Sequence, residues 1–377
     1  MGEDTPAVPS ADVEEAMIFR LVREKDVEGI RRYLQDSNVV PIQYDGEGMT
    51  PLQHAAYRGG YEICRLLIDH GADVNATKHA HKYSTLHFGV MSGKCDLVRL
   101  LLDHGADPTA KNTVGKTASE IGAFVGNHDA VSVINNYVPL SSLDGPFKAK
   151  KVTAEVRAAI ENPMHDLICT GNVHPVSVIN FAEKQISLVV NAKLVGEILE
   201  YMMNREMSVD GDANTILAFK LHVLSNYEKL LSTACSSEDK SKHLLALKKK
   251  FLTGVEPDGT QEYMEKYLRE VIRLFPFVQS PMIVSIVGTL ADTKIGDHPT
   301  AITLINSHLN GQRMFKNSEP CVACGAESAS KKCSKCKSVS YCDAVCQKLE
   351  WFTHKRFCQK FLMDRLAAEA DKKFTIA

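Results

Sequence analysis

Apolar positions recur with the period of an α-helix along much of the chain. Between residues 186 and 202, and again between residues 264 and 275, most apolar side chains follow one another at three- or four-residue steps. This spacing places them on one side of a helix, so both stretches are predicted to be helices that pack against a core. The two apolar stripes are Ile186, Val189, Val190, Leu194, Ile198 and Met202, then Met264, Tyr267, Leu268, Val271 and Phe275.

A different apolar feature is the uncharged run from Leu274 to Ala291. Its length raises the question of a membrane span, but Pro276, Ser280 and Pro281 interrupt it. The remaining stretch is too short to cross a bilayer. The sequence therefore predicts a buried helix here and no direct insertion into a membrane.

The first third of the chain contains an internal repeat. The segment Leu66–Asp73 recurs as Leu100–Asp107, 34 residues later, and the Thr-Pro-Leu motif that begins at Thr50 recurs at the same offset as Ser-Thr-Leu. A period of about 33 residues with a Thr-Pro-Leu motif is typical of ankyrin repeats. The motif suits a helix start, because Thr50 can cap the helix and Pro51 fits its first turn.

This pattern predicts an ankyrin-repeat solenoid over residues 13–138, with a degenerate first repeat at 13–45 and about three more after it. Ankyrin stacks bind other proteins on their concave face. In this register Tyr57, Met91 and Phe124 take equivalent positions near the ends of successive inner helices. We interpret them as candidate protein-binding residues. The alternative, that they only fill gaps between repeats, stays open at this point.

The last sixty residues hold seven of the eleven cysteines. With one histidine they follow the spacing C-x2-C-x8-C-x2-C-x5-C-x3-C-x7-H-x3-C, which offers enough ligands for two tetrahedral zinc sites. The alternative is a disulfide scaffold or a set of unrelated free thiols. However, the first twenty residues are acidic and contain neither the basic nor the apolar segment of a secretory signal, so an oxidising compartment is not expected.

The cysteine pattern resembles the MYND zinc finger, and Tyr341, Gln347 and Trp351 also match residue types of that family. The resemblance implies a small cross-braced finger over residues 321–358, in which alternate pairs of ligands share a metal and both zinc ions are structural. It assigns Cys321, Cys324, Cys342 and Cys346 to the first zinc, and Cys333, Cys336, His354 and Cys358 to the second.

Some MYND fingers bind proline-rich peptides along a short strand, beside a glutamine and a tryptophan that follows it by four residues. Gln347 and Trp351 keep this spacing, and residues 338–340 could supply the strand edge. The alternative, that Trp351 only packs the finger, is equally compatible with the sequence. We take Gln347 and Trp351 as candidate peptide-binding residues.

Together the patterns predict a mainly α protein: an ankyrin solenoid, an α-helical middle domain at 139–316, the finger, and a helical tail at 359–377. This order resembles the ankyrin repeat and MYND domain-containing protein 2 family. Phrases outside the generic motifs also carry the likeness, at residues 123–129, 134–136, 295–301 and 351–355.

The resemblance implies a non-enzymatic, cytoplasmic adaptor that promotes trafficking of membrane-bound guanylyl or adenylyl cyclases to the cilium, in support of cGMP or cAMP signalling. One alternative is a transcriptional corepressor or general scaffold, and a lesser one is a lysine methyltransferase. The Asn-His motif of those enzymes is not expected here, since Asn127-His128 lies inside an ankyrin repeat. The formal net charge of −2 gives no reason to expect a nucleic-acid partner.

Overall fold

A computed structural model divides the 377-residue chain into two compact units, Met1–Tyr137 and Val138–Ala377. Nearly all its secondary structure is helical, which confirms the mainly α prediction. Part of the predicted first repeat (residues 13–16 and 38–42) and the predicted boundary at residue 316 lie outside the described residues. The structure describes residues 17–37, 43–208, 214–234, 239–255, 259–310, 320–326 and 329–375.

The first unit consists of four helix pairs in its described residues. The first helix of each pair packs on the first helix of the next pair, and the second helices do the same, so the pairs stack in two layers as ankyrin repeats do. The pairs are α1 (Met17–Glu24) with α2 (Val27–Ser37), α3 (Pro51–Tyr57) with α4 (Tyr61–Asp69), α5 (Thr85–Met91) with α6 (Cys95–Asp103), and α7 (Ala118–Phe124) with α8 (His128–Asn136).

The Thr-Pro-Leu motif starts α3 and also ties it to the next hairpin. Thr50 Oγ1 accepts a hydrogen bond from the Gln53 N–H at 3.1 Å, and Gln53 Oε1 accepts one from the Thr50 N–H at 2.9 Å. This reciprocal pair is a capping box. Gln53 Nε2 then donates to the carbonyl oxygens of Ala76 and Tyr83, at 2.9 and 3.1 Å.

The first helix of each pair, the inner helix, is followed by a residue with a left-handed backbone conformation. This shared feature aligns the degenerate first repeat with the other three. Gly59, Gly93 and Gly126 have φ angles of 68°, 70° and 83°, and Lys25 has a φ of 59° at the equivalent position. For a residue with a side chain, this conformation costs about 1 kcal/mol or more of conformational free energy. The helix pair α1–α2 therefore adopts the geometry of a repeat although it lacks the Thr-Pro-Leu motif.

The second unit is built mainly of α-helices, followed by two short strands and one long helix. A 3-10 helix at Leu140–Leu143 precedes them. The α-helices are α9 (Asp144–Ala149), α10 (Ala154–Cys169), α11 (Pro175–Lys184), α12 (Ile186–Val190), α13 (Ala192–Met207), α14 (Thr215–Ala234), α15 (Lys240–Leu252), α16 (Glu262–Arg273), α17 (Pro281–Ala291) and α18 (Ala301–Asn310), then strands β1 (Lys331–Lys332) and β2 (Ser340–Tyr341), and finally α19 (Ala344–Thr375).

One hydrophobic core runs through this whole second unit. It contains buried side chains of the helical segment, such as Phe219 and Phe275, together with the finger's Tyr341 and six of its cysteines. The described residues of the helical segment and of the finger therefore share one hydrophobic core.

The first predicted apolar stripe is two helices rather than one. Helix α12 ends at Val190 and α13 begins at Ala192. Asn191 separates them, because its backbone, with φ −105° and ψ 17°, is not helical. Its N–H and its Nδ2 both donate to the carbonyl oxygen of Ser187, at 3.1 and 2.9 Å, and so cap the end of α12. As a result Ile186 and Val190 are exposed, while the later members of the stripe are mostly buried.

The uncharged run from residue 274 to 291 contains α17. This helix buries Ile283, Ile286 and Leu290, but Val284 and Val287 are 58% and 46% exposed. The prediction of a buried helix is therefore wrong for one of its two faces. Across the described residues, no helix combines the length and apolar content that crossing a membrane requires.

Candidate metal centre

Short turns and the start of α19 position the first four predicted ligands. Cys321 and Cys324 flank a tight turn, which Gly325 closes by donating its N–H to the Cys321 carbonyl oxygen at 2.7 Å. Gly325 has a φ of 68°, which favours glycine. Cys342 directly follows β2, and Cys346 lies in the first turn of α19.

The other four predicted ligands are positioned by β1, by a second turn and by a later part of α19. Cys333 directly follows β1, and Cys336 lies in a turn where the Lys337 N–H donates to the Cys333 carbonyl oxygen at 2.9 Å. His354 and Cys358 are one helical turn apart on α19. The antiparallel pairing of β1 with β2 brings the two sets of ligands side by side.

The structure gathers these atoms into two quartets, within each of which all ligand atoms lie within 4.8 Å of one another. In the first, the Sγ of Cys324 is 3.6 Å from the Sγ of Cys342 and 3.8 Å from that of Cys346. A tetrahedron with zinc–sulfur bonds of about 2.3 Å has edges of about 3.8 Å. The quartets are Cys321, Cys324, Cys342 and Cys346, and Cys333, Cys336, His354 and Cys358.

The second quartet has the same dimensions. Cys333 Sγ lies 3.9 Å from Cys358 Sγ, and Cys336 Sγ lies 3.6 Å from His354 Nε2. Each quartet thus provides a complete set of four protein ligands at tetrahedral spacing, with no coordination position left for water or substrate. The prediction of two structural zinc ions is confirmed.

Burial and hydrogen bonds to neighbouring cysteines keep several of these sulfurs protonated when no metal is bound. Burial, with a hydrogen bond to Cys324, raises the pKa of Cys342 to about 12. Burial, with a hydrogen bond to Cys333, raises the pKa of Cys358 to about 11. Zinc binds the thiolate form, so metal binding must release these protons.

A buried carboxyl group lies beside the finger helix. Glu350 is 4% exposed, and its Oε2 accepts a hydrogen bond from Tyr341 Oη at 2.7 Å. Burial raises the pKa of Glu350 to about 7. The burial of Glu350 is not evident from the sequence, because an acidic residue on a charged helix looks like a surface position until its neighbours are known.

Hydrogen bonds fasten the finger to the helical segment of the same unit. Asn172 Nδ2 donates to the Cys324 carbonyl oxygen at 3.0 Å. Thr353 Oγ1 donates to the Leu252 carbonyl oxygen at 2.7 Å and accepts from the Gly254 N–H at 3.3 Å. The partners lie between 99 and 152 residues apart in the chain. No local sequence pattern identifies such pairs.

The three candidate residues of the ankyrin unit each end an inner helix: Tyr57 ends α3, Met91 ends α5 and Phe124 ends α7. Tyr57 and Phe124 are 54% and 88% exposed, whereas Met91 packs partly against the ankyrin core. The ring of Tyr57 meets the ring of Phe88 edge-on, with the centroids 6.1 Å apart. The three form a row along the inner helices, and their role in binding stays a prediction.

The two candidate residues of the finger lie one turn apart on α19. Trp351 is 43% exposed, and the other part of its ring packs against the ring of His354, with the centroids 5.8 Å apart. Gln347 is half-buried. Packing of the finger and contact with a ligand are therefore compatible roles for Trp351.

The strand edge expected at residues 338–340 is already in use within the finger. The carbonyl oxygen of Val339 accepts from the Cys333 N–H at 3.1 Å, and that of Ser340 accepts from the Val322 N–H at 3.0 Å. A peptide that reaches Gln347 and Trp351 must find its backbone partners elsewhere.

Comparison with known families agrees with this architecture. The family model for ankyrin repeats matches residues 18–112 as three copies, and the model for the MYND finger matches residues 321–358. The chain is also 30% identical over 358 residues to Dauer abnormal formation protein 25 of Caenorhabditis elegans, which covers 92% of this chain and 91% of the relative. The chain belongs to the ankyrin repeat and MYND domain-containing protein 2 family. Both recognised modules of this family member are protein-interaction modules.

Two further similarities are short. The chain is 34% identical over 65 residues to palmitoyltransferase AKR1 of Gibberella zeae, covering 17% of this chain and 9% of the relative. It is 45% identical over 49 residues to ubiquitin carboxyl-terminal hydrolase 19 of Arabidopsis thaliana, covering 13% and 7%. Each covers less than a tenth of the relative, so neither similarity transfers an enzymatic activity to this family member.

Proposed function

We propose that this protein is a non-enzymatic adaptor that promotes trafficking of membrane-bound guanylyl or adenylyl cyclases to the cilium, in support of cGMP or cAMP signalling. The proposal is supported chiefly by the presence of two protein-interaction modules in one member of this family. The complete protein coordination of both zinc sites favours a structural role for the metal. The adaptor works in the cytoplasm and at the cilium.

The ankyrin unit is the proposed cargo-binding module. Exposed aromatic side chains are enriched at the centres of protein interfaces, where they contribute most of the binding free energy. Tyr57 and Phe124 are exposed in this way, and Met91 lies between them in the row of helix ends. The unbranched side chain of methionine can adjust to the partner's surface.

The finger is proposed to contribute a second contact, with a proline-rich peptide. Such peptides pack their rings against aromatic side chains. The exposed part of Trp351 supplies that surface, and Gln347, one turn away, supplies a polar group beside it.

Replacing Trp351 with alanine tests this second contact. We expect the zinc-loaded variant to lose at least about tenfold in affinity for a proline-rich peptide, because an exposed aromatic anchor is removed. Fluorescence polarisation of a labelled peptide measures the affinity, and zinc analysis shows that the finger is intact. Met363→Ala is the matched control, since Met363 is an exposed apolar residue further along the same helix. Unchanged peptide affinity in the zinc-replete Trp351→Ala variant would contradict the proposed peptide contact.

Deleting the protein from ciliated cells tests the trafficking role itself. We expect cyclase to accumulate in the cell body and to be depleted from the cilium, and re-expression of the full chain should restore it. The activity of each cyclase molecule should be unchanged, because an adaptor acts on location and not on chemistry. Normal ciliary cyclase in the deleted cells would contradict the trafficking role.

A further inference from the structure

A cavity of about 380 Å³ opens between the helical segment and the finger, inside the second unit. Met264 of α16 and Thr300, next to α18, line one side of it. Glu350, Phe357 and Phe361, all on α19, line the other side. Its volume is in the range of pockets that hold small ligands, which begins at about 300 Å³. The cavity shares one wall with the metal centre, because His354 also lines it.

The ionisable carboxyl groups that line the cavity are Glu265 and Glu350, and its described lining includes neither lysine nor arginine. Glu265 already has a counter-ion, because Arg269 Nε donates to it at 2.8 Å and the Ala301 N–H donates at 3.0 Å. Within the described residues, Glu350 accepts one hydrogen bond, from the neutral phenol of Tyr341. The other ionisable side chains of the lining are His354, which belongs to the second zinc quartet, and His298. Glu350 is therefore the lining carboxyl group that has no lysine or arginine partner within the described residues.

The zinc sites increase the negative potential of this region. Four thiolates around one Zn²⁺ leave a net charge of −2, and three thiolates with a neutral histidine leave −1. Val322, which follows the ligand Cys321, and the ligand His354 both line the cavity. A buried carboxylate in such surroundings is costly unless a cation accompanies it.

The uncharged walls suit the rest of a cationic group. Phe357 and Phe361 supply aromatic surface, and the faces of aromatic rings attract ammonium and guanidinium ions. The guanidinium carbon of Arg356 already lies 5.3 Å from the centroid of the Phe357 ring, and Phe361 stacks on His354, so an incoming cation would meet the remaining ring surface. Met264, Val322 and Val339 supply apolar surface for an alkyl stem. A carboxylate beside aromatic and aliphatic walls discriminates an organic cation from a metal ion, which would need several oxygen ligands.

We propose that this cavity binds one organic cation, an ammonium or guanidinium group on an alkyl stem, with Glu350 as its counter-ion and Phe357 and Phe361 as its walls. A lysine or arginine side chain of a partner protein offers this chemistry, and so does a free alkylamine. The site is separate from the Gln347–Trp351 surface. It does not depend on the trafficking role.

Titration of the full-length, zinc-loaded protein tests the proposal with three probes: n-butylammonium, the peptide acetyl-Gly-Lys-Gly-amide, and butyrate as an anion of similar size. Saturation-transfer NMR at constant ionic strength detects binding. Fluorescence of Trp351, the single tryptophan of the chain, gives a second signal, because its ring contacts His354 in the cavity wall.

Three variants accompany the titration. Glu350→Gln removes the counter-ion but keeps an acceptor for Tyr341. Gln261→Phe narrows the cavity from the helical side, and its amide makes no capping hydrogen bond that would be lost. Asp364→Asn is the matched control, because it removes an exposed negative charge from the same helix as Glu350.

We expect n-butylammonium to bind the wild type and Asp364→Asn, and butyrate not to bind. Glu350→Gln should weaken binding at least about tenfold, the usual loss for a hydrogen bond between charged groups. Gln261→Phe should weaken binding to a similar extent, because the larger ring fills part of the cavity. If Glu350→Gln loses zinc, Gln261→Phe decides the question, because it lies outside the finger. Tighter binding of the lysine peptide identifies a protein side chain as the ligand, and exclusion of that peptide identifies a free amine. Equal binding of butyrate and butylammonium, or unchanged affinity in zinc-replete Gln261→Phe, overturns the proposal.

Discussion

Replacing Cys333 with serine is expected to lower the zinc content from two ions per chain to about one, and to unfold much of the finger. A serine hydroxyl is a poor substitute for a thiolate ligand, so the second quartet loses its metal. Structural zinc contributes about 10 kcal/mol or more to the apparent folding free energy of such small sites. Because both quartets take ligands from α19, and because β1 beside the second quartet pairs with β2 beside the first, loss of the second metal also loosens the first site.

The effect of Cys333→Ser should extend into the helical segment. The finger shares a hydrophobic core with that segment. Thr353 and Asn172 make hydrogen bonds across the contact, and each such bond to a buried group contributes about 1 kcal/mol. We therefore expect hydrogen exchange to accelerate in α10–α16 as well as in the finger, while the ankyrin unit keeps its protection. Inductively coupled plasma mass spectrometry measures the zinc, and exchange mass spectrometry locates the destabilised segments.

Cys169→Ser is the matched control for this experiment. Cys169 is the last residue of α10, in the same unit as the finger, and belongs to neither quartet. This variant should keep two zinc ions. Retention of both ions by Cys333→Ser would contradict the assignment of this residue to the second quartet. Zinc loss with unchanged exchange in α10–α16 would show that the finger and the helical segment fold independently.

The parts of this protein that the sequence predicts well are those whose signal is local. The spacing of the cysteines is compressed into a short segment, and tetrahedral coordination restricts which spacings work, so the two zinc sites can be predicted without any structure. The ankyrin repeats are predicted for a related reason. Each repeat contacts mainly its neighbours, so the same residues recur at a fixed period. Even Lys25, which breaks the glycine pattern, takes the position that the period assigns to it.

The parts that the sequence does not predict depend on contacts between distant segments. Asn172 and Cys324 are 152 residues apart, and neither stands in a pattern that points to the other. Similarly, the burial of Glu350 results from its position against the helical segment, which its own helix does not reveal. The half-exposed face of α17 shows the converse. An uncharged helix looks buried in sequence, but burial requires a partner surface, and the described residues cover only the side that carries Ile283 and Ile286.

Replacing Tyr57 and Phe124 together with serine is expected to weaken capture of the proposed cyclase cargo strongly while leaving the ankyrin unit folded. Phe124 is 88% exposed, so its removal costs the fold little. Tyr57 loses an edge-on contact with Phe88 worth about 1 kcal/mol, which a solenoid of four helix pairs should tolerate. Two aromatic anchors at an interface typically contribute about 2 kcal/mol or more each. Affinity for the cargo should therefore fall by well over about tenfold.

Val114→Ser is the matched control, because Val114 is an exposed apolar residue of the same unit that lies in a hairpin turn and not in the row of helix ends. Affinity capture of the cyclase from ciliated cells compares the variants, and circular dichroism checks that the ankyrin unit still unfolds cooperatively. If the folded double variant captures cyclase as well as Val114→Ser does, the row formed by Tyr57, Met91 and Phe124 does not carry the cargo. If capture is lost, the same variant should fail to restore ciliary cyclase in cells that lack the protein. The trafficking role would then depend on one face of the ankyrin unit, because the finger and both zinc sites are unchanged in that variant.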